Sequence, residues 1–222
     1  MCDRSRFNRT RRNLHEIIEE IRKYMTSILG YQAEPIRVID SIPIPVCKFA
    51  RAHFHRTFKA DAEYGYCASK KETYYGFKLH AITTLDGFIT DLVLTPANVD
   101  DREAVWELVD KYKSILVIGD KGYINKYLTP ELEAQKQIQL IFMKRDNSKN
   151  PYPKSFRRLI FKVGRRIETT FSQLTEPLNI NKVLAKSLWG LTTRLRTKIL
   201  AHNLCYFINT LPGKDINIGN IK

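Results

Sequence analysis

The chain lacks any stretch near the roughly 18 consecutive apolar residues that a bilayer-spanning helix needs, and its opening, Met1-Cys2-Asp3-Arg4-Ser5-Arg6, has no apolar leader. No membrane partner is therefore expected, and the cytoplasm is the expected compartment. Cysteine is scarce: four residues, at positions 2, 47, 67 and 205, with no close pair of the kind that clips zinc or forms a redox disulfide. Reduced, mostly buried thiols follow. Internal repeats and low-complexity segments are absent too.

Acidic residues are in short supply. Against 23 Asp and Glu stand 37 Lys and Arg, a net charge of +14, and that imbalance points first to a polyanionic partner. The excess is localised: residues 144–222 hold 16 basic and four acidic residues, while the first 143 are nearly balanced. A second cluster, Arg4, Arg6, Arg9, Arg11 and Arg12, opens the chain. Such blocks gain affinity for phosphate backbones by releasing counterions, independent of base sequence; a solvated, solubilising face is the plainer alternative. With 43% hydrophobic residues over 222 positions, one domain with extensions fits better than two domains.

Helical spacing of Leu14, Ile17, Ile18, Ile21 and Met25 predicts an amphipathic helix behind an Arg-rich arm. Ile36 to Ile42 reads as a strand that Pro43 and Pro45 should end or place at an edge. Residues 46–72 show no period and read as an irregular insertion. Two β-rich runs, Tyr75–Thr84 and Phe88–Thr95, joined through Leu85-Asp86-Gly87, predict a hairpin. Asp100 or Asp101 then caps a helix; Ile115–Ile118 predicts a fourth strand, Thr129-Pro130-Glu131 a short helix, and Ile138–Met143 a fifth strand. Apolar residues three and four apart from Phe156 to Leu174 predict a helix laid on a sheet. A last helix covers about Ser187–Leu211, with Leu188, Leu191, Leu195, Ile199 and Tyr206 inward. The order implies an α/β protein: a mixed five-stranded sheet flanked by helices.

Three carboxylates fall at telling places. Asp40 ends the first strand, Asp120 follows the fourth, and Glu168 flanks the apolar stripe of the long helix. If the first and fourth strands are neighbours, their ends lie roughly 5 Å apart, and a helix over that face presents Glu168 beside them. Converging carboxylates need cationic company, and hard oxygen donors select Mg²⁺, with Mn²⁺ as a substitute. A pair of such ions activates the attacking oxygen and stabilises the leaving one in phosphodiester chemistry. Each acid also has a duller reading: Asp40 and Asp120 as turn formers, Glu168 as a partner for Arg165.

Five motifs in one order, Val38-Ile39-Asp40-Ser41, Tyr75-Gly76-Phe77-Lys78-Leu79-His80, Ala97-Asn98-Val99-Asp100-Asp101-Arg102-Glu103, Gly119-Asp120-Lys121-Gly122-Tyr123 and Arg166-Ile167-Glu168-Thr169-Thr170-Phe171-Ser172-Gln173-Leu174, resemble the DDE transposases of bacterial insertion sequences, and among them the insertion sequence 982 family. The resemblance runs from about Arg4 to Asn209. It implies a ribonuclease H-like catalytic core in which Asp40, Asp120 and Glu168 match the family's metal-binding catalytic triad. It also implies hydrolytic nicking at the element's ends, followed by attack of the freed 3′-hydroxyl on target DNA. A homodimer on DNA, in the nucleoid of a bacterium, is expected with it. The organisation then reads as a basic arm and helix over 1–34, the catalytic domain over 35–211, and a tail over 212–222. Within the domain lie the insertion at 46–72, a basic loop and helix at 144–166 and the C-terminal helix at 187–211. Family members have a further helical segment before the Arg-rich arm, where this chain starts, so a truncated copy is an expectation. An endonuclease that never joins strands, or an inactive DNA-binding remnant, would share most of these features.

Lys121 and Arg165 are placed to hold phosphates near the acids, with ordinary ion pairing as the alternative. Lys78 and His80 leave one face of the second strand and join the DNA-binding candidates, although a hydrogen-bonded structural role is the alternative for His80 and for His202. Lys154, Arg157, Arg158, Lys162, Arg194 and Lys198 complete the expected backbone-contacting surface.

Overall fold

The computed structural model describes residues 3–123, 125, 127–144 and 151–210. Its centre is a mixed sheet of six strands: β1 (Ile36–Cys47), β2 (Glu63–Cys67), β3 (Glu72–Thr83), β4 (Ile89–Pro96), β5 (Leu116–Gly119) and β6 (Gln139–Phe142). The spatial order is β2-β3-β1-β5-β6, with β4 also on β3. Strands β1 to β4 pair antiparallel, whereas β1, β5 and β6 run parallel. The helices are α1 (Arg4–Asn13), α2 (His15–Ile28), α3 (Asp101–Leu108), α4 (Leu128–Lys136), α5 (Lys154–Thr175) and α6 (Leu188–Thr210).

Alternation along β1 divides the core in two. Val38, Ile42 and Ile44 pack with Phe171 and Leu174 of α5 and Leu195 of α6. Ile39 packs the other way, with Val105 and Leu108 of α3 and Leu132 of α4. A third cluster seats α2 on α6 through Ile18, Met25, Leu200 and Tyr206. Buried Arg22 ties α2 to β4, donating to the Thr90 carbonyl while pairing with Glu19 at 2.5 Å and Asp91 at 3.6 Å. Gly30, at φ +70°, closes α2 in the left-handed conformation that a side chain would strain. The β3–β4 tip is pinned from behind: Thr170 of α5 donates to the Gly87 carbonyl (3.1 Å) and Tyr206 of α6 to that of Asp86 (3.0 Å).

Pro43 and Pro45 lie at an edge, one of the two places expected for them: pairing with β5 stops at Ile39, and an edge tolerates a missing N–H. Four expectations need correction. Asp40 does not end the first strand, because β1 continues to Cys47 beside β3. The segment 46–72 is not irregular throughout, since β2 pairs there with β3 and makes the sheet six-stranded; its exposed Tyr64 and Tyr66 flank Gly65 and left no apolar period to read. The Arg-rich lead-in is helical, as α1, because arginine is a good helix former and α1 rests on α6. On α2, Leu14, Ile17 and Ile21 face solvent although they share helical spacing with buried Ile18 and Met25. Much of the basic loop, residues 145–150, and the tail from 211 lie outside the described residues.

Candidate active site

The parallel ladder between β1 and β5 ends at the pair Ile39–Gly119, and the next residues on the two strands are Asp40 and Asp120. Neighbouring strands lie about 4.8 Å apart, so the two carboxylates leave adjacent backbone positions. Asp40 shares the parity of Val38 and thus the face covered by α5. Ile167, Phe171 and Leu174 seat that helix on the sheet, which turns Glu168 outward at its margin. Asp40, Asp120 and Glu168 all line one cleft of about 230 Å³, together with Lys121, Arg165 and Gly164. At Gly164 a Cβ would meet nothing within 4 Å, so the helix leaves open space one turn before Glu168.

Charge in the cleft is unbalanced. Burial pushes the Asp40 carboxyl up to about 7, the Ser41 N–H donating to it (2.8 Å) opposes this, and the negative charges of Asp120, Asp101 and Glu168 push it further. Among the described residues, no three acidic, His or Cys side chains are drawn together into a finished ion cage. The chemistry of Asp40, Asp120 and Glu168 fits a hard divalent ion: oxygen donors only, shared space, and one acid whose proton an incoming cation would displace.

Behind β1, on the α3 face, lies a second polar group that sequence reasoning did not assign to the site. Asp101, in the first turn of α3, accepts from Lys78 Nζ (2.7 Å) and Ser41 Oγ (3.4 Å), and His80 Nδ1 lies 3.9 Å away. Tyr123 is buried among the same groups; burial and then the charges of Asp40 and Asp101 hold its hydroxyl protonated. Asp100 takes the capping role instead, accepting from Arg102 N at 2.9 Å. The adjacent acids at 100 and 101 were the available signal: one caps, which leaves the other for a different task.

The basic candidates separate into three sets. Lys121 and Arg165 line the carboxylate cleft. Lys154, Arg157 and Arg158 line an adjoining depression of about 280 Å³ that shares Met143 and Phe161 with the cleft, and Lys162 is exposed on the same helix. Arg194 lies on α6 with Arg11 of α1 near it. Three expected DNA contacts make bonds within the protein. His80 is fully buried, with Nε2 on Thr95 Oγ1 at 2.9 Å, and burial lowers its pKa to about 4, so it has no surface to offer a phosphate. Lys78 spends its ammonium on Asp101 and on the Val99 carbonyl (2.7 Å). Lys198, half-buried, donates to the Asn179 carbonyl at 2.5 Å. His202 is structural: buried, with Nε2 near Gln173 Oε1 (3.2 Å).

A family model described as a transposase DDE domain matches residues 30–188, which include Asp40, Asp120 and Glu168. Comparison with curated proteins and with solved structures gives no match.

Proposed function

Because the chain belongs to the transposase DDE domain family, an enzyme family acting on DNA, we propose that it is the transposase of a bacterial insertion sequence, of the 982 type, built on a ribonuclease H-like core. The observation that carries this reading is the placement of Asp40 and Asp120 just past the end of the β1–β5 ladder with Glu168 in the same cleft. These three would hold divalent ions, Mg²⁺ or Mn²⁺. Bound there, such ions supply an activated attacking oxygen and charge stabilisation at the leaving oxygen. The chain's own groups do the remaining work. Lys121 and Arg165 hold the phosphate at the cleft, the first as a compact charge and the second as a fork. The depression lined by Lys154, Arg157 and Arg158 lets the DNA backbone run on along α5. Asp40, whose carboxyl burial pushes up to about 7, would bind such an ion as the carboxylate. End cleavage followed by strand transfer, carried out in the nucleoid by a homodimer, is the sequence of events this site serves.

The test is a strand-transfer assay with Mn²⁺, DNA carrying the element's terminal repeats, and a supercoiled target. Joined products that disappear in Asp120→Asn, with DNA binding retained, are the expected result. Cleavage without joining would make the protein an endonuclease. Unchanged activity in Asp120→Asn would remove the site from the mechanism.

A further inference from the structure

The segment between β1 and β3 leaves four aromatic rings in solvent that neither the cleft nor the core uses. Phe49 and Phe54 open and close a short 3₁₀ helix (Phe49–Phe54), and Tyr64 and Tyr66 stand two apart on β2, the last strand of the sheet on its side. Their exposure runs from 44% at Tyr64 to 79% at Phe54, against 8% or less for Tyr74 and Tyr75 on β3. The two-residue period puts Tyr64 and Tyr66 on one face. Tyr64 is held in place there, its ring between those of Phe49 (centroids 5.7 Å apart) and Tyr75 (5.0 Å). On the other face β2 is packed tightly, since a Cβ at Gly65 would come within 2.8 Å of Ala97.

Cations surround these rings. Residues 48–72 hold six basic side chains against three acids. Lys48, Arg51, Arg56, Lys59, Lys70 and Lys71 are all exposed, and none forms a salt bridge with another described residue. Arg51 and Phe54, three apart in the 3₁₀ helix, share one side of it. Lys70 and Lys71 lie in the turn that joins the strand of Tyr66 to β3. Exposed rings set among unpaired cations suit a nucleic-acid strand whose bases are free: phosphates meet charge, and base faces meet rings. A duplex hides its base faces in its own stack, and an acidic peptide would engage the cations and leave the rings idle.

We propose that Phe49, Phe54, Tyr64 and Tyr66 form a stacking ledge for a DNA strand with unpaired bases. This rests on the reading of the chain as an enzyme acting on DNA, and adds to it a second site with its own ligand. Position favours it. Tyr64 pairs with Tyr75 and Asp40 with Ala81, so ledge and cleft are six residues apart along β3 and lie on the two strands that flank it. Tyr75 and Ala81 belong to the same core cluster and share a face of the sheet. At about 3.4 Å per residue and about 4.8 Å per strand the separation is about 22 Å. Roughly six nucleotides at the duplex rise cover that length. A strand freed from its complement at the cleft thus has the ledge within reach.

The test is fluorescence anisotropy on the full chain in chelator, so that no cleavage takes place and the outcome is separate from that of the strand-transfer assay. The probes are a labelled oligothymidylate of about twelve nucleotides, an abasic sugar–phosphate chain of the same length, and a blunt duplex. Oligothymidylate should bind about tenfold more tightly than the abasic chain, because stacking adds to backbone attraction. Phe54→Ala with Tyr66→Ala, the two most exposed of the four rings, should remove most of that difference and leave duplex affinity within about twofold. Tyr66→Phe, which keeps the ring, should bind as the wild type does. An unchanged thermal midpoint shows that the double variant still folds. Equal binding of oligothymidylate and abasic chain by the wild type would overturn the proposal without any variant, as would a preference that survives the double substitution. Competition by polyglutamate as effective as by unlabelled oligothymidylate would assign the surface to an acidic peptide and overturn it too. Duplex binding that persists in these cases leaves the reading of the cleft standing.

Discussion

Asp40 and Asp120 stand one residue past the last rung, Ile39–Gly119, of the parallel ladder that joins β1 to β5. Where that ladder stops, β1 continues with β3 alone on its other side, so a notch opens beside Asp40 on the flank that β5 has vacated. The notch brings together two acids separated by 80 positions in the chain, and α5 crosses near it with Glu168. The position disfavours a charged Asp40: burial first, and then the neighbouring acids, push its carboxyl pKa up.

The first prediction concerns stability against pH. Asp40 titrates near 3.8 in the unfolded chain and at about 7 in the folded one. Its raised pKa means that its favourable contribution is present below pH 3.8 and is lost as pH rises through 7. Asp40→Asn, which mimics the protonated acid, should therefore be more stable than the wild type at pH 8 by about 1–2 kcal/mol, allowing for solvent on the open side of the cleft. The difference should vanish towards pH 4. Denaturant melts in the presence of chelator measure it, and Mg²⁺ should then stabilise the wild type but not the variant.

The second prediction addresses the group behind β1. Lys78→Met leaves Asp101 without its cation beside Asp40 and Tyr123, and should cost about 1–3 kcal/mol. Adding Asp101→Asn removes the stranded charge and should restore part of the loss, a coupling that a double-mutant cycle in denaturant reads directly. Additive losses would show that the pair does not act as a unit.

Much of this architecture was legible in the sequence, because periodicity reports burial and burial organises the sheet. The β3–β4 hairpin announced itself through Asp86-Gly87, and α5 through the steps from Phe156 to Leu174. Asp120 was legible as following a strand end, whereas Asp40 lies inside β1, and their shared notch depends on where β5 stops, a tertiary fact. The prolines were legible as edge markers, since β1 is unpaired on one side past Ile39. The misreadings have local causes. Lys78 and His80 were assigned to DNA from charge and alternation alone; alternation says that they share a face, but not that α3 and Asp101 cover it.

A third prediction follows from the basic depression on α5. If Lys154, Arg157 and Arg158 contact backbone phosphates, DNA affinity should fall steeply with salt, and Arg158→Ala should reduce the slope of log K against log salt by about 1 for any DNA sequence. Lys78→Met, whose ammonium is engaged internally, should leave that slope unchanged. Fluorescence anisotropy at several salt concentrations distinguishes the two.

The last prediction separates stability from activity at one atom. Gly164 lies inside a 22-residue helix, where glycine costs about 1 kcal/mol relative to alanine, and an added Cβ would have open space around it. Gly164→Ala should therefore raise the thermal midpoint by about 2–4 °C. The same methyl group enters the wall of the cleft one turn before Glu168, where ion and phosphate would have to fit. Cleavage should consequently slow while DNA affinity, set by the arginines farther along α5, stays within about twofold of the wild type. A variant that is more stable and equally active would show that the open space beside Gly164 is not used in the reaction.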